Sequence, residues 1–321
     1  MPIALALHGG CGTLPLADLP PEEWAEAKHH IADALAAGWT ILAAGGTAVD
    51  AVEATVVVLE NSRHFNAGHG AALNTEGTHE LDASIMDGNG LRAGAVGIAR
   101  HIRNPVKAAR KLMDAGSTVL LAGPAADAFA RDAGLEMVDQ TYFTTERRLQ
   151  NLQQMKARAA AGTAASASEA EKHGTVGAVA LDRDGNLAAA TSTGGYTNKP
   201  AGRVGDSPII GAGTYARNGV CAVSGTGQGE RFIRHVAGHE LASLIAYQGL
   251  SLAEAARTVV FDRIGTHGIG AGMVAIDAQG NIAAPYNTLG MYRGWVLPSG
   301  EVHVGTHDQV TVVAHLADGG A

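Results

Sequence analysis

The chain has 321 residues, of which 46% are apolar and only 4% aromatic, so small aliphatic side chains must fill most of its interior. A net charge of −8 argues against nucleic acid or an anionic membrane as the main partner. Two cysteines, Cys11 and Cys221, are too few for a disulfide framework and suit a reducing compartment. With no signal-peptide pattern and no apolar run of the ~18–20 residues that span a bilayer, we expect a soluble, cytoplasmic protein.

The first half of the chain alternates strand and helix patterns. Thr47 is expected to cap a helix, with Asp50 three residues on in a capping-box-like position. Pro21 suits the first turn of another helix. The predicted strands are 3–7, 81–86, 93–99 and 118–122, and the predicted helices are 21–42, 47–61, 105–115, 124–133 and a polar surface helix at 144–161.

The second half follows a polar tract of small residues at about 161–174, which we expect to be a flexible linker. A hairpin is predicted at 175–181 and 187–192, and 272–284 is a near-copy of it, either reused hairpin chemistry or internal repetition. Further predictions are a strand at 221–224, one helix over 230–247, and a helix to about 264 opened by a capping box at Ser251.

Short hairpin-linked strands with paired helices favour an α+β layered sandwich of antiparallel sheets over a parallel doubly wound sheet. The stretch 209–216 matches a dinucleotide fingerprint by pattern, but no long helix follows it, so nucleotide binding is rejected. Zinc catalysis is unsupported, because His239-Glu240 lacks a second histidine at helical spacing. His303, His307 and Asp308 are interpreted as a solvent-facing strand end.

Two loops carry residues that suit substrate binding. The segment 225–230 leads into a helix and is either a tight turn or an oxyanion hole built from its N–H groups. Arg203 and Asp206 lie three apart in a glycine-flanked loop. They form either a surface ion pair or a clamp in which the guanidinium grips the carboxylate of an α-amino acid and Asp206 accepts its ammonium.

The junction Gly174-Thr175 is either an ordinary domain boundary or a self-cleavage site. A hydroxyl needs a neighbouring base to act as a nucleophile, and an N-terminal threonine supplies its own α-amino group, whose pKa is ~7.7–8.0. That arrangement requires the bond before Thr175 to be cut. Gly174 suits the cut, because it leaves room for Thr175 Oγ to attack the preceding carbonyl.

The motifs together resemble the plant-type asparaginase / isoaspartyl peptidase family, whose members are N-terminal-nucleophile hydrolases. The resemblance runs from about residue 3 to residue 293, and 296–321 carry little of it. Its motifs are His8-Gly9-Gly10, Phe65-Asn66-Ala67-Gly68, Leu81-Asp82-Ala83, Met86-Asp87-Gly88, Arg103-Asn104-Pro105, Gly174-Thr175-Val176-Gly177, Thr191-Ser192-Thr193-Gly194-Gly195, Gly202-Arg203-Val204-Gly205-Asp206-Ser207-Pro208, Thr226-Gly227 and Gly290-Met291-Tyr292-Arg293.

The resemblance implies a four-layer αββα sandwich, made as a precursor that cuts itself between Gly174 and Thr175. Residues 1–174 would form an α subunit that ends in the linker, residues 175–321 a β subunit, and the two together one structural domain. The implied activity is hydrolysis of L-asparagine and β-aspartyl dipeptides by pairs of cleaved αβ protomers. The alternatives are a glycosylasparaginase, which has the same machinery, and a non-enzymatic amino-acid-binding protein that keeps the Arg203/Asp206 clamp.

The resemblance also assigns roles to individual residues. Thr175 would be the nucleophile, supported by Thr193, with Thr226 and the Gly227 N–H as the oxyanion hole. The implied substrate contacts are Arg203, Asp206, Gly229 and Asn66. No cofactor is needed for catalysis, but a structural sodium ion would be held by the backbone carbonyls of Leu59, Glu60, Ser62, Phe65, Ala67 and His69. The sequence departs from the family pattern at Cys11, Gly225, Gln228, His64 and His69.

Overall fold

The computed structural model describes residues 2–163 and 174–316. Most of the linker expected at 161–174 therefore lies outside the described residues. The strands are β1 (Ala4–Cys11), β2 (Leu81–Asp87), β3 (Arg92–Ala99), β4 (Leu120–Ala122), β5 (Val176–Leu181), β6 (Leu187–Thr193), β7 (Thr214–Arg217), β8 (Cys221–Gly227), β9 (Ala271–Asp277), β10 (Ile282–Ala283), β11 (Met291–Val296), β12 (Glu301–Gly305) and β13 (Val310–His315). The α-helices are α1 (Pro21–Ala43), α2 (Ala48–Asn61), α3 (Pro105–Ala115), α4 (Pro124–Asp132), α5 (Glu146–Ala160), α6 (Gly229–His235), α7 (Ala237–Gln248) and α8 (Leu252–Arg257).

The strands form two sheets. The larger has nine strands in the order β13–β12–β11–β1–β5–β6–β2–β3–β4, and the smaller has four in the order β10–β9–β8–β7. Pairing is antiparallel except between β3 and β4, which run parallel, so the expectation of antiparallel sheets holds with that one exception. Among the described helices, none is long and apolar enough to cross a membrane.

The alternation of side-chain directions along the central strands explains why the fold has layers on both faces of the larger sheet. On β1, Leu5 and Leu7 face the helices α1 and α2, whereas Ala4 and Ala6 face the smaller sheet. Because side chains alternate across a strand, each central strand of the larger sheet contributes to two cores. The second core is closed on its far side by α7 and α8. The predicted four-layer αββα sandwich is confirmed.

One sequence prediction about a single element is wrong. The helix predicted over 230–247 is two helices, α6 and α7, separated by Val236 in a left-handed conformation (φ 48°). The polar surface helix predicted at 144–161 is confirmed as α5, which is largely exposed and buries only Arg148, Leu152 and Met155. The unassigned segment 296–321 contains β12 and β13, which extend the larger sheet to its edge.

Candidate active site

Thr175 lies immediately before β5, at the open end of the hairpin formed with β6. The two strands pair with Val176 opposite Ser192, so the next pair outward brings Thr175 opposite Thr193. Thr175 Oγ1 donates a hydrogen bond to Thr193 Oγ1 over 3.2 Å, and Thr193 Oγ1 also accepts from the Gly195 amide at 2.9 Å. Thr175 is 8% exposed and Thr193 2% exposed. The hairpin register therefore places the predicted nucleophile and its supporting hydroxyl in direct contact.

The strand face that carries Thr175 is turned toward the smaller sheet. Two residues further along the same face, a Cβ on Gly177 would lie 1.9 Å from Ser224 Oγ and 2.8 Å from His8 Nε2. Such distances leave no room for a side chain, so glycine is required for the sheets to approach here. The close approach brings β1, β5 and β8 together beside Thr175.

A chain of buried hydrogen bonds fixes the main chain of Thr175. His8 Nδ1 lies 3.0 Å from the Thr175 carbonyl oxygen and His8 Nε2 lies 2.8 Å from Ser224 Oγ. Because a carbonyl only accepts, Nδ1 carries the proton. Burial lowers the pKa of His8 to about 3, although the bond to Thr175 opposes this, so the ring is neutral and Nε2 accepts from Ser224. Ser224 in turn accepts from Thr191 (2.7 Å), and Thr191 from Thr214 (2.6 Å).

The end of β1 joins the scissile bond to the predicted oxyanion residues. A Cβ on Gly10 would lie 2.6 Å from Gly174 Cα, so these backbones are in contact. The next residue, Cys11, donates its N–H to Thr226 Oγ1 over 3.3 Å. Thr226 is buried, and Gly227 follows it as the last residue of β8. One strand end thus contacts both Gly174 and Thr226.

The sequence departs from the family pattern at Gly225 and Gln228, and packing explains the first of these two residues. A Cβ on Gly225 would lie 2.4 Å from the ring of Phe232, so the glycine lets α6 pack closely on β8. Gln228 is the N-cap residue of α6 and makes no side-chain cap. Nothing in the structure explains the glutamine itself.

Arg203 and Asp206, the residues of the predicted clamp, lie close together, but the arginine has a partner that the sequence did not reveal. Arg203 Nε and one terminal nitrogen lie 3.0 and 2.9 Å from Glu230 Oε1, and its guanidinium is 4.7 Å from the centre of the Tyr196 ring. A Cβ on Gly229 would lie 2.7 Å from Asp206 Oδ1 and 2.9 Å from the Arg203 guanidinium. Both charged groups therefore pack directly against Gly229. The interpretation of Arg203 and Asp206 as a surface ion pair is wrong.

Asp206 has the features of a carboxyl group that would bind a cationic ligand. Its side chain is buried, and Oδ2 finds no hydrogen-bond partner among the described residues. Burial raises the pKa of Asp206 to about 7, with Arg203 lowering it and Glu230 raising it further. A buried carboxylate oxygen without a donor is costly, and an ammonium group would satisfy it.

Asn66 lies beside the scissile bond, but its amide is already engaged. Its Nδ2 donates to the Gly195 carbonyl at 2.6 Å, and its Oδ1 accepts from the Ala72 amide at 2.7 Å. A Cβ on Gly174 would lie 2.9 Å from Asn66 Cβ. Asn66 therefore packs against Gly174 and is hydrogen-bonded to the turn that follows Thr193. A direct substrate contact by Asn66 stays a prediction.

The loop between α2 and β2 carries the predicted sodium ligands. The carbonyls of Leu59 and Glu60 each accept one main-chain bond, from Ser62 and His69, and a carbonyl oxygen has a second lone pair. The carbonyl oxygens of Arg63 and Phe65 lie 2.7 and 2.8 Å from the position of a Cβ on Gly70, so only glycine fits where the loop passes them. Carbonyl oxygens suit a hard cation, and a sodium ion bound by the six predicted carbonyls stays a prediction. In the described ranges, no three His, Cys, Asp or Glu side chains form a metal site.

Sequence reasoning missed two groups at this site. Glu230 directly follows the predicted glycine-rich loop, and its charge next to that loop was the available signal. His8 was noticed only as part of a motif, because its partners Ser224 and Thr175 are far away in the sequence. Neither contact is visible in hydrophobic periodicity.

A threonine at the start of a buried strand, inside an αββα sandwich and within reach of a second hydroxyl, fits the class of N-terminal-nucleophile hydrolases. Comparison with known proteins places the chain within that class. The sequence model of the asparaginase family matches residues 1–306, and the chain belongs to this family.

Named relatives align over most of the chain. An isoaspartyl peptidase from Escherichia coli is 47% identical over 296 residues, which cover 91% of this chain and 92% of the relative. An isoaspartyl peptidase/L-asparaginase from Macaca fascicularis is 38% identical over 322 residues, covering 98% and 99%. A probable isoaspartyl peptidase/L-asparaginase from Arabidopsis thaliana is 39% identical over 322 residues, covering 94% and 98%.

Proposed function

We propose that the protein hydrolyses β-aspartyl dipeptides and L-asparagine, with Thr175 as an N-terminal nucleophile released by cleavage after Gly174. The single observation that carries this is the buried contact between Thr175 Oγ1 and Thr193 Oγ1 in a chain of the asparaginase family. The names of the relatives, isoaspartyl peptidase and L-asparaginase, support the choice of substrates.

The reaction follows from the groups around Thr175. Its Oγ forms a bond to the side-chain carbonyl carbon of the aspartyl unit, and its free amine takes the hydroxyl proton. Thr226 and the Gly227 N–H stabilise the oxyanion, and donors of this kind contribute ~3–4 kcal/mol each. The C–N bond then breaks, and the proton passes to the leaving amine. Water hydrolyses the ester, which releases aspartate and restores Thr175.

Arg203 and Asp206 orient the substrate for this attack. The guanidinium of Arg203 takes the α-carboxylate, and the unpartnered Oδ2 of Asp206 takes the α-ammonium. Glu230 already occupies part of the Arg203 guanidinium, so the substrate carboxylate meets a group that is held in place. Preorganisation of this kind lowers the entropy lost on binding.

The substitution Thr175→Ala tests the function. It removes the attacking oxygen, so we expect one uncleaved chain of full-length mass and loss of turnover by at least about 1,000-fold, from covalent catalysis and self-processing together. Intact mass spectrometry and an ammonia-release assay measure the two effects. Thr40→Ala, on the exposed end of α1, is the matched control and should cleave and react like the wild type. A folded Thr175→Ala protein that still splits in two would overturn the proposal.

We further propose that the cleaved αβ protomers pair as a dimer, giving a heterotetramer of subunits, in the cytoplasm. The family resemblance supports the assembly, and a content of only two cysteines, both buried, suits a reducing compartment. A sodium ion in the loop between α2 and β2 would brace the backbone near Asn66. It would take no part in the reaction.

A further inference from the structure

A cavity of about 190 Å³ adjoins the scissile bond and is not used by the mechanism above. Gly174 and Asn66 line it on the side of the nucleophile, and Arg147, Arg148 and Asn151 of α5 line it on another side. Pockets for drug-sized ligands hold roughly 300–1,000 Å³, so this one suits a smaller group. It has the size for a single amino-acid residue.

One of the residues that line the cavity is a buried cation without an anionic partner among the described residues. Arg148 is 6% exposed, and its Nε donates to the Gly70 carbonyl at 2.5 Å. Within residues 2–163 and 174–316, no carboxylate lies within ion-pair distance of its guanidinium. Burial, and then the neighbouring Arg147, lower the pKa of Arg148 to about 9, with Glu23 acting in the opposite direction. It therefore remains charged at neutral pH.

The other ionisable groups of the cavity leave that charge uncompensated. Arg147 lies 3.1 Å from Glu23, so these two charges cancel. Arg148 is therefore the lining cation that has no carboxylate partner among the described residues. A buried, unpaired cation is unfavourable, and an anionic ligand would relieve the penalty.

Another wall of the cavity is aromatic. The ring of Tyr292 meets that of Phe65 edge-on at 6.1 Å and that of His64 at 5.5 Å. Phe65 is buried and Tyr292 is half-buried. A cation with an apolar wall fits a ligand that has a carboxylate and an apolar side chain.

We propose that this cavity is the subsite for the leaving amino acid of a β-aspartyl dipeptide, and that Arg148 binds its α-carboxylate. The inference rests on the proposed function, because it assumes attack by Thr175 on the side-chain carbonyl. Gly174 is bonded to Thr175 and lines the cavity, so the cavity reaches the backbone directly before the nucleophile. Arg203 and Asp206 take the charged groups of the aspartyl unit. Arg148 then supplies the matching contact for the other residue of the dipeptide.

A second carboxylate could in principle reach Arg148, the one created at Gly174 by cleavage. The test therefore compares β-aspartyl-leucine with its C-terminal amide, and uses asparagine turnover as the check of the basic reaction. If Arg148 binds the substrate, the wild type should prefer the acid over the amide by about 10- to 100-fold in kcat/KM, the range expected for losing a charge-assisted contact. If the Gly174 carboxylate occupies Arg148, acid and amide should react alike.

Two variants and a control test whether Arg148 causes the preference for the acid over the amide. Arg148→Gln should bring the acid-to-amide ratio close to one. Asn151→Asp, one turn along the same face of α5, keeps the buried arginine and gives it an internal carboxylate, so it should reduce the ratio even if Arg148→Gln fails to fold. Gln154→Glu makes the same change of charge on the exposed face of α5 and should keep the wild-type ratio.

The outcomes separate the two hypotheses. A wild-type ratio near one, or a high ratio that Asn151→Asp leaves intact, overturns the subsite while asparagine turnover still supports the proposed function. Failure of the cleaved wild type to hydrolyse asparagine and both dipeptides overturns the proposed function, and the subsite with it. A high ratio lost in Asn151→Asp and retained in Gln154→Glu supports the subsite.

Discussion

Asp206 combines burial, an unpartnered oxygen and a neighbouring carboxylate. Burial, reinforced by Glu230 and opposed by Arg203, raises the pKa of Asp206 to about 7, so in the free protein a large fraction of Asp206 is protonated at neutral pH. An incoming ammonium group favours the charged form, so binding of ligand and loss of the proton are coupled. The affinity for an amino acid must therefore depend on pH in a range where an ordinary aspartate would not titrate.

This coupling predicts how the product L-aspartate inhibits the enzyme. Below pH ~7 the carboxyl of Asp206 is neutral, so the inhibition constant should rise by up to ~10-fold per pH unit as the pH falls. An aspartate of normal pKa would give a flat profile between pH 5 and pH 7. In Glu230→Gln the rise should begin at lower pH, because a nearby negative charge is gone. Asp206→Asn should bind weakly and lack the rise; a flat wild-type profile down to pH 5 would contradict the prediction.

Local motifs predicted Thr175, Thr193, Thr226, Arg203 and Asp206, which the structure brings to one region. The motifs could do this because each of these residues has neighbours whose glycines and hydroxyls form a recognisable pattern. Glu230 and Arg148 escaped prediction for a different reason. Their significance comes from what lies across the fold, respectively Arg203 and the cavity beside Gly174, and no spacing in the sequence encodes those contacts.

At the scale of elements, the break between α6 and α7 shows where periodicity fails. The apolar pattern runs on through Val236, and valine gives no sign of a helix end. In the structure, the first N–H groups of α7, on Gly238 and His239, donate to the carbonyls of Ala212 and Gly211 at 3.0 and 2.9 Å. A tertiary contact therefore supplies the cap, and Val236 adopts a left-handed conformation to allow it.

The strain at Val236 makes a stability prediction. A β-branched residue in this conformation costs roughly 1–2 kcal/mol, and glycine adopts it freely. Val236 is also exposed, so little apolar contact is lost on truncation. We expect Val236→Gly to raise the melting temperature by a few degrees in differential scanning calorimetry. Val312→Gly, an exposed valine in β13, should lower it instead; a fall in Val236→Gly of similar size would refute the argument.

For the whole molecule, the strand order interleaves the two pieces that cleavage would create. β1 belongs to the first piece, yet it lies between β11 and β5 of the second. β5 and β6 of the second piece likewise separate β1 from β2 of the first. The layer architecture followed from alternating patterns in the sequence, but this order did not, because strand neighbours far apart in the chain leave no local signal.

The interleaving predicts that neither piece is stable alone. A protein of residues 175–321 would lack β1 between β5 and β11, which leaves two long unpaired edges in the core of the sheet. We expect it to be insoluble and inactive when expressed alone. The cleaved wild type should stay together through size-exclusion chromatography and separate only in denaturant. Soluble, active material from 175–321 alone would contradict this.

The register of β5 against β6 has one more consequence. The hydroxyls of Thr175 and Thr193 are in contact only when β5 and β6 are paired. The hydrogen bond from the His8 ring to the Thr175 carbonyl also requires β1 beside β5. Under the proposed cleavage, a chain that has not assembled its sheet has no means of cutting itself. Under this proposal, every cut molecule must therefore have assembled the sheet before its bond was broken.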